Sequence, residues 1–272
     1  MRRRLPEATR LSLGGWYGLI VLFLFAPIAT SIVYSFNLGT LGKQTSLFTG
    51  WTAGWYSAAW EDLSLRRSVA TSLEVAFWAA LVSLAFGAML GFVLVRYRKP
   101  VVRRLLATAT YLLLIVPETV TGVSLLLFYA ETAIPLSKAT LVAGLTPSAI
   151  AVTALIIRAR VLTLDRQIEE AAADLGANRW EVLRLVVLPQ LLPAVAAGGL
   201  MAYVFSFDNV VVASFLTTPQ VNTLPVYLYG SLQYGPAPTV YAAATAVFLF
   251  TLIVMGLALA CYRLAGSRHV LP

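Results

Sequence analysis

Glu170-Ala171-Ala172-Ala173-Asp174-Leu175-Gly176, followed by Val186-Val187-Leu188-Pro189, is the stretch that decides how this chain is read. It belongs to a polar, helix-forming insert, residues 158–192, set between two strongly apolar segments. A membrane cannot hold such an insert, so it must stand out into water. Residues 166–175 read as one short helix, since alanine has the highest helix propensity. Gly176 sits where a glycine ends a helix. Asn178 is a good N-cap, and Glu181 three residues later completes a capping box for a second helix from Arg179 through Leu188. Pro189 and Pro193 are expected to limit the continuation of that helix. The insert is thus a two-helix elbow bent at Gly176. From periodicity alone, an ordinary surface hairpin joining two spans fits equally well.

The rest of the chain is a membrane protein. Of 272 residues, 59% are hydrophobic and 12% are charged, where a soluble domain carries about 25% charged residues. Six apolar spans are expected, at about 13–35, 69–95, 105–129, 141–157, 193–216 and 239–262. Pro117 and Gly122 interrupt the third. No long polar block divides the chain, so a single domain, 1–272, is expected. Residues 36–68 are polar, with Trp51, Trp55, Tyr56 and Trp60 read as one face of a helix suited to the membrane interface. Residues 217–238 carry no formal charge but four prolines, Pro219, Pro225, Pro236 and Pro238. Such a segment can dip back against the membrane or fold over its mouth.

The net charge of +8 is unevenly placed. Arg2, Arg3, Arg4 and Arg10 precede the first span. Arg96, Arg98, Lys99, Arg103 and Arg104 follow the second, and Arg158, Arg160, Arg166, Arg179 and Arg184 lie in the insert. Arg263 and Arg268 follow the last span. The opposite side has only Lys43, Arg66, Arg67 and Lys138. The positive-inside rule therefore puts both termini and the insert in the cytoplasm. Basic residues scattered over short loops beside apolar spans do not make a nucleic-acid surface. One cysteine, Cys261, excludes an intrachain disulfide, and with His269 the only histidine there is no zinc constellation.

Two acids fall within apolar spans: Glu118 after Pro117, and Asp208 in Ser206-Phe207-Asp208-Asn209. Carboxylates there face a bundle interior or a water-filled path. They can meet a cation in transit, with Tyr203 and Phe207 offering aromatic faces, or bond a neighbouring helix.

The order Glu170-Ala171-Ala172, three residues, Gly176, nine residues, Val186-x-Leu188-Pro189 resembles the EAA loop of binding-protein-dependent ABC-importer permeases, with Val186 in place of isoleucine. Val116-Pro117-Glu118-Thr119-Val120-Thr121-Gly122 and Ser206-Phe207-Asp208-Asn209-Val210-Val211, then Leu224-Pro225-Val226-Tyr227, resemble the spermidine/putrescine members. Those members commonly have two acids where this chain has Asp208-Asn209.

The resemblance implies an all-α, six-span permease of the type I importer (MetI-like) fold in the bacterial inner membrane. Glu170, Ala171, Ala172, Gly176, Leu188 and Pro189 would couple it to an ATPase. Glu118, Asp208, Tyr203 and Phe207 would line the substrate path. The partners implied are a second, PotB-like permease, two copies of a PotA-like ATP-binding subunit and a PotD-like external binding protein. ATP and magnesium would be held by the ATPase, since this chain has no phosphate-binding loop. Related permeases carry iron, thiamine, opines or 4-aminobutyrate. An ATP-independent channel or secondary transporter using Glu118 and Asp208 is the remaining class.

Overall fold

The computed structural model describes residues 7–266 apart from 41, 46, 234 and 236, and the side chains of 7–14, 254, 255 and 257–266 are outside it. Arg2, Arg3, Arg4, Arg268 and His269 lie outside the described residues, as do the side chains of Arg10, Cys261 and Arg263. The helices in chain order are α1 (Glu7–Tyr34), α2 (Gly54–Glu61), α3 (Leu63–Arg96) and α4 (Pro100–Ile115). Then come α5 (Glu118–Glu131), α6 (Lys138–Leu162), α7 (Arg166–Asp174) and α8 (Arg179–Glu181). A π-helical turn, Val182–Val187, leads into α9 (Leu188–Phe207), followed by α10 (Val211–Leu216), α11 (Leu224–Gln233) and α12 (Pro238–Gly266).

Four helical stretches among the described residues are long and apolar enough to cross a membrane: Gly15–Tyr34, Leu63–Arg96, Lys138–Leu162 and Arg179–Phe207. A fifth span is made if α4 and α5, which meet at 95°, count as one. The expected third span is therefore a broken helix. Pro117 has no N–H and disfavours the helical region for the residue before it. Val116 accordingly takes φ −60°, ψ 127°. The expected sixth span falls on α12, whose described apolar stretch, Pro238–Ile253, is shorter than a crossing helix, so the described residues give four or five of the six expected spans.

The expected fifth span, 193–216, is corrected at both ends. It starts at Arg179, because the chain passes Pro189 without stopping. The π-turn widens the helix just ahead of that proline, with Leu188 N–H donating to the Leu183 carbonyl, five residues back. Gln190 Nε2 donates to the Val186 carbonyl at 2.9 Å. At the other end α9 stops at Phe207, because Asn209 Oδ1 accepts the backbone N–H groups of Val212 (3.0 Å) and Ala213 (3.4 Å). A side chain that caps the next turn diverts the backbone from the helix it leaves.

The chain falls into two compact units. In the unit of residues 1–63 and 230–272, α12 packs on α1 and α2. Asn37, fully buried, organises the loop between α1 and α2. It holds Thr49 N–H on Oδ1 at 2.8 Å, gives Nδ2 to Gln44, and its carbonyl accepts the Trp55 indole N–H at 2.9 Å. Residues 36–38 pair with 50–52, through Leu38 N–H to Gly50 and Thr52 N–H to Phe36. That pairing takes Trp51 out of the helix, so the expected single aromatic face does not form. Trp51 stays exposed ahead of α2, and Trp55 turns inward.

The unit of residues 64–229 is built on close helix contacts. A Cβ on Gly87 would lie 2.7 Å from Thr153 Cβ, and one on Gly91 would lie 2.6 Å from the Ala154 carbonyl oxygen. Small residues let α3 and α6 touch backbone to backbone, the usual device for packing helices in lipid. Likewise Gly122 on α5 receives Phe215, and Gly144 on α6 receives Leu216, each 2.5 Å from an added Cβ. Around these contacts Val75, Leu141, Leu145, Val212, Ala213 and Leu216 form a buried core.

Candidate coupling elbow and polar joint

The elbow's bend follows from its termini. Asp165 accepts the Gln167 N–H at 2.9 Å and starts α7. At the far end Gly176 takes φ +93°, a conformation glycine adopts without the Cβ penalty. Gly176 N–H reaches the Ala173 carbonyl and Ala177 N–H reaches Ala172, the bond pair of a Schellman stop. Asn178 Oδ1 then accepts the Trp180 and Glu181 N–H groups at 3.0 Å. Glu181 returns a bond to Asn178 N–H at 2.7 Å, closing the capping box.

Beneath the elbow, Ile157, Val161, Val187 and Leu191 form an apolar base, with Leu164, Val182 and Leu183 packed on it. α7 itself has no buried residue. Glu170, Ala171 and Gly176 are exposed and Ala172 is half-buried. Leu188 and Pro189 are exposed on the second helix, just past the π-turn.

Two features of the elbow were not read from the sequence. Glu169 pairs with Arg96, the last residue of α3, through Arg96 Nη2 and Glu169 Oε1. Arg96 is one of a basic run of five, and nothing local marks it as the partner. Second, the elbow presents apolar side chains to the outside: Leu175 is 90% exposed, with Trp180 and Ile168 also exposed. The spacing of Ile168 and Leu175, seven residues apart, puts both on one helix face and was the available signal.

The polar joint lies where two helix breaks meet. Glu118, half-buried, is in the first turn of α5 just past the 95° bend. An acid in the first turn is favoured by the helix dipole. Its Oε2 accepts the Asn209 Nδ2–H at 3.1 Å, from the break between α9 and α10. Asp208 is the exposed C-cap of α9. Tyr203 and Phe207 stack along α9 at 6.2 Å and 20°, with Tyr203 packed on Ala80, Ala149 and Ala202. Of the four expected path residues, Tyr203 and Phe207 are brought together, while Glu118 meets a residue outside the four. Asn209 carries both the donor and the acceptor that the joint needs.

Apolar helices packed through small residues are thus broken at Pro117 and at Asp208-Asn209 and carry a capped polar elbow. The chain belongs to the family described as binding-protein-dependent transport system inner membrane component, whose model matches residues 83–263. It is 34% identical over 231 residues to the putrescine transport system permease protein PotI of Escherichia coli K12, covering 83% of this chain and 81% of that protein. It is 32% identical over 249 residues to the spermidine/putrescine transport system permease protein PotC of the same organism, covering 90% and 92%. Among solved structures, a bacterial ABC transporter involved in import of the acidic polysaccharide alginate aligns with a TM-score of 0.71 at 18% identity. It covers 95% of this chain and 99% of that one. That likeness is one of fold.

Proposed function

We propose that the chain is one permease subunit of an ATP-driven importer for putrescine- or spermidine-type polyamines. The observation that carries the cargo is its identity with two polyamine permeases across more than four-fifths of its length. Both termini and the elbow face the cytoplasm, in keeping with the concentration of arginine on that side. The elbow is the coupling element. Its Glu170, Ala171 and Gly176, all exposed, and half-buried Ala172 dock a separate ATPase, with Leu188 and Pro189 on the span that continues from the elbow.

The chain makes and breaks no bonds. ATP and magnesium belong to two copies of the ATPase, and a second, related permease completes the membrane pathway. A binding protein delivers cargo from outside. ATPase closure moves the elbow and, through the apolar base beneath it, α6 and α9. Glu118 and Asp208 supply negative charge to a cationic cargo, and Tyr203 and Phe207 supply aromatic faces.

The test is substrate-stimulated ATP hydrolysis by the reconstituted complex with its binding protein. Putrescine, spermidine, 4-aminobutyrate, thiamine and ferric iron are compared. Stimulation by the polyamines supports the reading. Stimulation by another solute alone moves the cargo and keeps the architecture, and transport without ATP overturns both.

A further inference from the structure

The joint between Glu118 and Asn209 carries an inference about selectivity, one that rests on the polyamine reading above. Asn209 is 8% exposed. Its Oδ1 is occupied by two backbone N–H groups at the start of α10. An amide has its acceptor and donors on opposite branches, so those two bonds turn Nδ2 toward the Glu118 carboxylate at 3.1 Å. The orientation is set by the backbone and does not depend on cargo. The resting partner of Glu118 in this structure is thus a neutral donor contributed by the chain.

We propose that Asn209 is a specificity-determining residue: its amide N–H holds one face of the Glu118 carboxylate where the two helix breaks meet, so an incoming ammonium group must displace a neutral donor and is held only weakly. A path must bind its cargo loosely enough to release it. A neutral Asn209 leaves one carboxylate at this point, enough for one ammonium at a time. An aspartate would add a second carboxylate beside it and hold a multiply charged amine much longer, because each opposite charge at this range favours the bound cation.

Asn209→Asp is the decisive variant. Aspartate keeps an oxygen for the Val212 and Ala213 N–H groups, so the α10 cap survives and only the donor to Glu118 is lost. In the reconstituted complex, N209D should lower the KM for spermidine about tenfold, the change that about 1.4 kcal/mol of added attraction produces, and that for putrescine by less. It should also lower kcat, because release slows. A purely structural role for Asn209 would not lower KM.

A second readout does not need transport. Two carboxylates so close repel each other, so N209D should melt below the wild-type complex and recover when spermidine is added. E118Q/N209D should lose that recovery. Stimulation of the wild type by polyamines, with KM and kcat unchanged in N209D, would overturn the proposal and leave the cargo reading standing. If no polyamine stimulates the wild type, the cargo reading fails. Melting then decides: spermidine-dependent recovery unique to N209D supports the neutral-donor role, and its absence overturns it.

Discussion

Arg96, at the end of α3, reaches Glu169 on the elbow helix across 73 residues of sequence. Both side chains are largely shielded, at 13% and 24% exposure. The elbow is joined by chain to α6 and α9, and this pair ties it to a third long helix. Truncating either partner leaves a poorly solvated charge, at a cost of about 1–3 kcal/mol. Arg96→Gln and Glu169→Gln should each lower the melting temperature of the complex and reduce uptake per ATP hydrolysed. The swap R96E/E169R should restore much of the coupling ratio. Uptake per ATP that stays at wild type in both single variants would remove the pair from force transmission.

Gly176 has open space around it and φ +93°, so any substitution there acts through the backbone. A non-glycine residue in that conformation costs about 1–2 kcal/mol. Gly176→Val should weaken co-purification of the ATPase, and Gly176→Asn should do less harm, since asparagine tolerates the left-handed region. Equal ATPase recovery with Val and Asn would mean the bend does not set the docking geometry.

Gly91 meets the Ala154 backbone, which cannot move aside as a side chain can. Gly91→Ala should cost about 1–3 kcal/mol, the range for overpacking a close contact, and show as a lower melting temperature of the purified complex. Gly230→Ala is the control, with nothing within 4 Å of the added carbon. Similar melting of the two variants would argue that α3 and α6 readily separate.

Glu118→Gln keeps an acceptor for Asn209 and removes the charge, so the joint should fold while polyamine uptake falls severalfold. Asp208→Asn removes the exposed acid at the end of α9 and should reduce uptake without loss of assembly. Flux equal to wild type in both variants, measured with radiolabelled putrescine in proteoliposomes, would exclude these carboxylates from the path.

What the sequence made legible was local. The stop at Gly176 and the capping box from Asn178 to Glu181 depend on residues three to five apart, and each is found where the spacing put it. Span positions were legible to within six residues for α3 and α6, because hydrophobic length decides them. What could not be read depends on distant residues meeting. The partner of Glu169 lies 73 residues away and that of Glu118 lies 91 away. Pro117 announced an interruption, but its angle is set by what α5 packs against, with Gly122 receiving Phe215. Pro189 was read as a stop because a widened turn leaves no mark in a hydrophobic pattern.

That widened turn, Val182–Val187, has a geometric consequence. Each residue of an α-helix advances the surface by about 100°. One residue of slack therefore shifts the azimuth of everything beyond it, while the rod stays unbroken. Trp180, before the slack, looks outward at 66% exposure, and Leu191, after it, is 5% exposed against the bundle. A single continuous rod can thus address two surroundings with two differently aimed stripes. Deleting one residue within the turn would re-phase the stripes without severing the rod.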